Sequence, residues 1–449
     1  MTNSAIPNLL MDLVPLPPKD VLLSKVNRYV LHSMAWPESK RVIFVEGRGA
    51  ILKDIDGKEY IDACAGANGP TLVGHSHPRY IQAISKQVEK LSQHLPCFNN
   101  VPLIELCEKL ARILPGNIHK SYVCAGGSEA IESAIKLIMR RTGKNGFISL
   151  YCGYHGLSLG LLNLVGMSWN RSLFPHISGP LAFQQIPNPY CYRCHFGLEY
   201  PGCDLECANA LEYAIKYSSS GNVAAFILEV VQGPGGQIEF PKEYFSKVKE
   251  ICAKNGVLII VDEIQTGLGR CGAMFASELY NFIPDVLVVG KALGGGFPIG
   301  VASFSDELFS PELNEKTWHA LTFQNQPLAC AVASAIIDIA IEENFPERAK
   351  RLGAYCKKAL IDLSREHEIV GDVRGPGLFL GIELVKDRKT KEPAITETQK
   401  VIYSALDKGL IIFPGGMGNV IKVKPPLTIT EEQIDRIVEI LDEAFGEIR

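Results

Sequence analysis

Residues 257–267 read VLIIVDEIQTG. Five aliphatic residues stand in succession, and an uninterrupted apolar run of this length predicts a strand buried on both faces of a parallel sheet. Asp262 and Glu263 follow without a break. A carboxylate at the mouth of such a strand is costly to ionise unless a cation or strong donors meet it. The sequence therefore predicts a cationic partner for Asp262.

The same alternation extends to either side. KSYVCAGGSEAIESAIKLIMRR (120–141) reads as strand, glycine turn and helix, and GFISLYCGYHG (146–156) as a strand entering a loop. NVAAFILEVVQGPGG (222–236) is a strand ending in a glycine loop, and DVLVVGKALGGG (285–296) is a further strand. PKEYFSKVKEICAKNG (241–256) has Tyr244, Val248, Ile251 and Cys252 at helical spacing, with Gly256 as terminator. Strands and helices alternating in this way predict an α/β domain around a mostly parallel sheet. After Cys330, helical segments lead to VRGPGLFLGIELV (373–385) and NVIKVKPPL (419–427), strands of a smaller α+β domain. EGRGAILKDIDGKEYIDA (46–63) reads as two strands joined at Asp56-Gly57, and the first forty residues as an irregular, proline-rich arm. The expected division is residues 1–70 for the arm and small-domain strands, 71–330 for the large domain and 331–449 for the C-terminal small domain.

Composition narrows the class. The chain has 449 residues, 47% of them hydrophobic, enough for a large core and more than one domain. A net charge of −4 gives no basic surface for nucleic acid. No apolar run reaches the roughly 18 to 20 residues a membrane span needs. The N-terminus lacks a basic n-region and an apolar h-region, and 13 cysteines, an odd number, do not resemble a secreted disulfide framework. The expectation is a cytoplasmic enzyme.

In an open parallel sheet, ligands collect beyond the carboxyl ends of the strands. Glu229, Gln232, Asp262, Gln265 and Lys291 all fall there. Burial disfavours a lysine ammonium, which suits an imine-forming lysine. The plainer alternative is a buried Asp262–Lys291 salt bridge. Gly126, Gly127 and Ser128 stand at a strand-to-helix turn, where glycines admit an anion and the helix start offers free N–H groups. A phosphate cup, an imine-forming lysine and an acid for a pyridine nitrogen together describe the needs of pyridoxal 5'-phosphate (PLP). Its protonated ring nitrogen is the cation expected at Asp262.

On these residues the chain resembles the class III (ornithine/4-aminobutyrate type) aminotransferases of PLP fold type I. VGHSHP, GGSEAIESAIK, YHG, DEIQTGLGR, GKALGGGFPIG, TFQNQPLA and VRGPGL appear in family order from about Glu46 to the C-terminus. The resemblance implies a large domain with a mostly parallel seven-stranded sheet, and a smaller α+β domain built from the C-terminal part and the N-terminal segment. It implies that Lys291 forms the Schiff base and moves the proton, Asp262 faces the ring nitrogen, and Gly127 and Ser128 hold the phosphate. Tyr154 would stack on the ring with His155 beside it, Gln265 would reach the ring hydroxyl side, and Arg374 would clamp a substrate carboxylate. Thr322 would reach the phosphate of a neighbouring subunit, in a homodimer or dimer of dimers with shared sites. The implied substrates are a small-molecule amine donor and a 2-oxo acid acceptor. Amino-acid or aminolactam racemases and dialkylglycine decarboxylases share nearly all these residues and form the alternative; a non-catalytic PLP-binding protein is a third reading, against which intact Lys291, Asp262 and Arg374 stand.

Three features depart from the family. Val230 replaces a common proline after Glu229, and Pro234 stands where the 4-aminobutyrate and ornithine branch commonly has a glutamate. How the site alternates between two substrates is therefore open. The third feature is CYRCHFGLEYPGCDLEC (191–207), whose Cys191, Cys194, Cys203 and Cys207 have a spacing that a structural zinc ion can use. Reduced thiols in a plain loop are the simpler reading, and no metal is assigned to the catalytic site. GLGRCG (267–272) matches a dinucleotide fingerprint, but DEIQT separates it from its strand and no long helix follows. His75 and His77 in GHSHP lack a third ligand and read as part of a turn.

Overall fold

The computed structural model describes residues 16–172, 174 and 182–448. The first fifteen residues of the expected arm lie outside that range. Seven strands form the main sheet: β1 (Ile118–Cys124), β2 (Gly146–Leu150), β3 (Ala182–Ile186), β4 (Val223–Leu228), β5 (Leu258–Asp262), β6 (Val286–Gly290) and β7 (Gly300–Ser305). Their spatial order is β1-β7-β6-β5-β4-β2-β3. Only β7 runs against its neighbours, antiparallel to both β6 and β1. The sheet is mostly parallel, as the run at 257–261 predicts.

The residues of β5 show why that run carries no polar alternation. Ile260 packs on one face with Ile131, Ala134, Ile135 and Ile138 of the helix Gly127–Thr142. Ile259 and Val261 pack on the other face with Tyr244, Phe245, Val248 and Ile251 of the helix Lys242–Asn255. Both faces are covered, so both sets of positions are apolar. Each buried aliphatic side chain contributes about 1.5–3 kcal/mol. Gly256 ends the second helix at φ +59°, where it suffers no Cβ clash.

Two smaller sheets flank this domain. Phe44–Arg48, Ile51–Asp54 and Glu59–Asp62 are antiparallel, and Leu410–Ile411 from the far end of the chain joins them, parallel to Glu59–Asp62. The second sheet has the order Val370–Arg374, Leu380–Leu384, Val420–Val423, Phe413–Gly415 and is antiparallel throughout. Its register sets Arg374 opposite Gly381 and Gly381 opposite Lys422. Arg374 and Lys422 thus share one row and one face, two strands and about 10 Å apart. The arm is not irregular throughout: Lys19–Tyr29 is an α-helix with no fully buried residue. Its apolar Leu22, Leu23 and Val26 make a stripe too narrow to stand out beside the flanking prolines.

Candidate active site

The chain crosses from apolar strand to polar loop at Leu228, Asp262 and Gly290, the C-terminal ends of three adjacent parallel strands. A cavity of about 180 Å³ opens there, lined by Gly127, Ser128, Tyr154, His155, Glu229, Asp262, Gln265 and Lys291, with Gly156 and Ile264. Seven of these are site residues expected from the sequence. They arrive from four separate chain segments.

The helix Gly127–Thr142 starts at this cavity without a side-chain cap on its first N–H groups. An uncapped helix start with the Ser128 hydroxyl beside it is an anion site by construction. The glycines around it are required by close approach. A Cβ on Gly127 would lie 2.8 Å from Ile264 Cδ1, one on Gly156 would lie 2.3 Å from Ser128 Oγ, and one on Gly300 would lie 2.3 Å from the Gly126 carbonyl oxygen. Larger residues would fill the cradle.

Asp262 is 4% exposed, and its partner is not Lys291. Asp262 Oδ2 lies 2.9 Å from His155 Nδ1, and Oδ1 accepts the Ile264 N–H at 3.0 Å. His155 Nε2 is buried without a partner. The buried Asp262–Lys291 ion pair offered as the plainer reading is absent. Lys291 adopts φ +41°, a left-handed conformation that costs a non-glycine residue about 1–2 kcal/mol and turns its side chain off the end of β6. Burial lowers its pKa, against the opposing pull of Asp262 and Glu229. Glu229 accepts the Tyr154 N–H at 2.9 Å and the Gly233 N–H at 2.8 Å, which fixes both the aromatic loop and the glycine loop to the strand end. Burial, partly countered by His155 and reinforced by Asp262, raises its pKa to about 7.

Two expected residues lie outside the cavity. Thr322 is exposed, with its carbonyl accepting from Gln93 Nε2 at 2.6 Å. Arg374 is buried in a cross-strand network. Its Nη1 donates to Asp372 Oδ2 at 2.8 Å and Glu383 Oε2 at 2.7 Å, and its Nε to the Gly236 carbonyl at 2.9 Å; Nη2 has no partner. Glu383 also accepts from Tyr190 and Arg193, which come from the Cys191–Cys207 loop and its approach. Burial would raise the Glu383 pKa, but Arg374, Tyr190 and Arg193 outweigh it and hold the carboxyl low. Two guanidiniums thus face two carboxylates, and the network is already neutral.

Sequence reasoning missed Lys422 and Lys424. They are 3% and 0% exposed, and neither has a carboxylate partner among the described residues. Lys422 Nζ donates to Asn68 Oδ1 at 2.9 Å, and Lys424 Nζ to Gln265 Oε1 at 2.9 Å. In Val420–Lys424 the alternation of apolar and basic residues reads as one buried and one solvated face, so nothing in it marks a buried cation.

The remaining motifs are structural. His77 caps the helix Pro78–Val88 and His75 Nε2 lies 2.8 Å from Asp62 Oδ2, so GHSHP is a turn. Gly269 sits at φ +92° against the Phe345 backbone, and the helix after GLGRCG is one short turn at Ala276–Tyr280, so no dinucleotide fingerprint exists. Cys191, Cys194, Cys203 and Cys207 line one separate cavity of about 20 Å³. Among the described residues no three His, Cys, Asp or Glu side chains are arranged to hold a metal ion.

The family model for class III aminotransferases matches residues 34–445. The chain belongs to the class III aminotransferase family. Curated relatives include a leucine/methionine racemase from Thermococcus litoralis, 37% identical over 93% of this chain and 94% of its own length. An isoleucine 2-epimerase from Lentilactobacillus buchneri is 35% identical, covering 94% of each chain, and a 5-aminovalerate aminotransferase from Pseudomonas putida is 34% identical over 90% and 94%. Among solved structures, an (S)-enantioselective omega-transaminase from Thermomicrobium roseum superposes with a TM-score of 0.90 at 30% identity, covering 96% of this chain and 99% of that one. An amine transaminase from an uncultivated Pseudomonas species, solved in its PLP-bound form, gives 0.87 at 29% identity over 94% and 98%. The class III enzyme fold is that of PLP fold type I, and the cofactor is PLP. The residues present fit it: an uncapped helix start for phosphate, a cradle that a Cβ on Gly127 or Gly156 would crowd, and an unpaired lysine in the same cavity as a buried acid.

Proposed function

We propose that this class III enzyme transfers the amino group of an amino acid or terminal amine to a 2-oxo acid. The carrying observation is Lys291 left without an acid partner in the same cavity as Asp262, whose carboxylate is engaged by His155 instead. When bound, PLP supplies an electron sink for the negative charge that develops on the substrate carbon. Lys291, whose pKa burial lowers, removes the proton from the carbon that bears the substrate nitrogen and returns a proton in the second half-reaction. Asp262, oriented by His155 and the Ile264 N–H, would keep the pyridine nitrogen protonated. Gly127 and Ser128 at the helix start would hold the phosphate, and Tyr154, which lines the same cavity, would cover the ring.

Lys422 is the better candidate than Arg374 to receive the substrate's carboxylate. Arg374 sits in a neutral cluster and supports the glycine loop through Gly236, whereas Lys422 is a buried cation with only an amide oxygen and no acid. A Cβ on Gly415 would fall 3.0 Å from Lys422 Cδ and 3.3 Å from the Pro234 carbonyl oxygen, so the residue at 234, a proline, brings no acid to that cation. Thr322, exposed on the surface, is assigned to the phosphate of a neighbouring subunit in a homodimer, and the protein to the cytoplasm.

A second reading is racemisation, in which Lys291 returns the proton to the same carbon. It is favoured by the racemase and epimerase among the relatives and by Pro234. A panel of single-enantiomer amino acids and terminal amines, each with and without 2-oxoglutarate or pyruvate, separates the two. Amine transfer that requires the oxo acid supports transamination. Loss of optical rotation without an oxo acid, and without amine transfer, overturns it in favour of racemisation.

A further inference from the structure

Gln265 lines the cofactor cavity and is 7% exposed. Its amide can present either an oxygen or an N–H₂ to whatever occupies the cavity, and the two faces have opposite polarity. Lys424 decides between them. Its Nζ is completely buried, sits 2.9 Å from Gln265 Oε1 and has no carboxylate within reach among the described residues. Lysine offers N–H donors in either protonation state, and here Nζ donates to the amide oxygen. The backbone fixes the lysine in turn: the Lys424 N–H donates to the Ala63 carbonyl at 2.9 Å, and the side chain runs past the Phe379 ring, 5.6 Å from its centroid. On the other side of Gln265, a Cβ on Gly233 would fall 2.7 Å from Oε1, so the amide is also wedged by the glycine loop. The charged and titratable groups facing Lys424 are Lys422, Cys64, Lys291 and Arg270. None of these is a carboxylate, and no carboxylate among the described residues draws the lysine away from the glutamine.

We propose that Lys424 is a positioning residue of the cofactor site, holding Gln265 Oε1 so that the Gln265 N–H₂ group is the one presented to PLP. This rests on the PLP reading of the cavity. The test uses the holoenzyme and three variants, Lys424→Met, Gln265→Ala and the double variant. Readouts are the PLP dissociation constant by equilibrium dialysis and the pH midpoint of the Lys291-dependent visible absorbance band. Loss of one positioned hydrogen bond is expected to weaken PLP binding ~3- to 10-fold in each single variant and to move the band's midpoint in the same direction in both. The double variant is expected to match Gln265→Ala within about twofold, because the lysine acts only through the glutamine. Fully additive losses, or an unmoved midpoint in Lys424→Met, overturn the proposal. If Lys424→Met does not fold, Gln265→Glu takes its place: a carboxylate against the buried lysine is expected to raise Tm, and a lowered Tm overturns the contact. A wild-type protein that fails to bind PLP would sink the cofactor reading itself, a result distinct from either.

Discussion

Lys422 has a pKa of about 8, mainly because burial disfavours its ammonium and Lys291 repels it, with Cys64 acting the other way. A free lysine titrates at 10.5. Between pH 8 and 10.5 the unfolded chain binds more protons than the folded protein, so stability rises with pH across that window. Below pH 8 the cost is present in full, about 3 kcal/mol at 1.36 kcal/mol per unit. Lys422→Met is therefore expected to stabilise the protein by up to about 3 kcal/mol at pH 7, with the gain vanishing near pH 10.5. Urea unfolding at the two pH values checks this. The same substitution is expected to raise KM for carboxylate-bearing substrates by about 10- to 100-fold and to leave KM for uncharged amines within twofold, from the loss of one charged hydrogen bond. An Arg374→Met variant that raises the carboxylate KM while Lys422→Met does not would return the clamp to Arg374. At this scale the sequence was legible where residues sit at strand ends, as with Asp262 and Lys291. It was not legible for Lys422 and Lys424. Their alternation with Val423 predicts a solvated face, but Asn68 and Ala63 from a remote segment cover it.

At the scale of elements, the helix Gly127–Thr142 ties the apolar core to phosphate chemistry. Its Ile131, Ile135 and Ile138 are buried against the sheet, which holds the uncapped start at the cavity. Gly127→Val would drive Ile264 out of contact range and block the cradle. PLP affinity is expected to fall at least tenfold while the far-UV circular dichroism stays unchanged; unchanged affinity would remove the phosphate from this helix. The periods of 3.6 and 2 located this helix and β5 well, since both faces of β5 are covered and the helix carries one apolar stripe. The network of Arg374 with Glu383, Tyr190 and Arg193 was beyond such reading. It joins a cross-strand pair to a loop nearly 200 residues earlier, and only register and burial bring them together. Glu383→Gln leaves two guanidiniums facing one carboxylate, and is expected to destabilise the protein by about 2–4 kcal/mol in thermal unfolding.

For the whole molecule, the strand Glu59–Asp62 pairs with Leu410–Ile411, which ties an early segment to the C-terminal part, and Lys424 of that part reaches Gln265 just beyond β5 of the large sheet. The family pattern made this architecture readable in outline, whereas the approach of two buried lysines, Lys422 and Lys424, to the cavity of Lys291 emerged only from packing. The proposed homodimer predicts that dilution below its dissociation constant weakens PLP binding, because Thr322 would no longer meet the phosphate of the neighbouring subunit. Sedimentation paired with cofactor absorbance over the same concentration range tests it. The central claim, that Lys291 is the lysine that joins the cofactor, is open to a single direct measurement. The PLP-loaded protein is reduced with borohydride, digested and mapped by mass spectrometry. One phosphopyridoxyl group on the peptide carrying Lys291 is the predicted result; modification of Lys422 or Lys424 instead, or of no lysine, would contradict it.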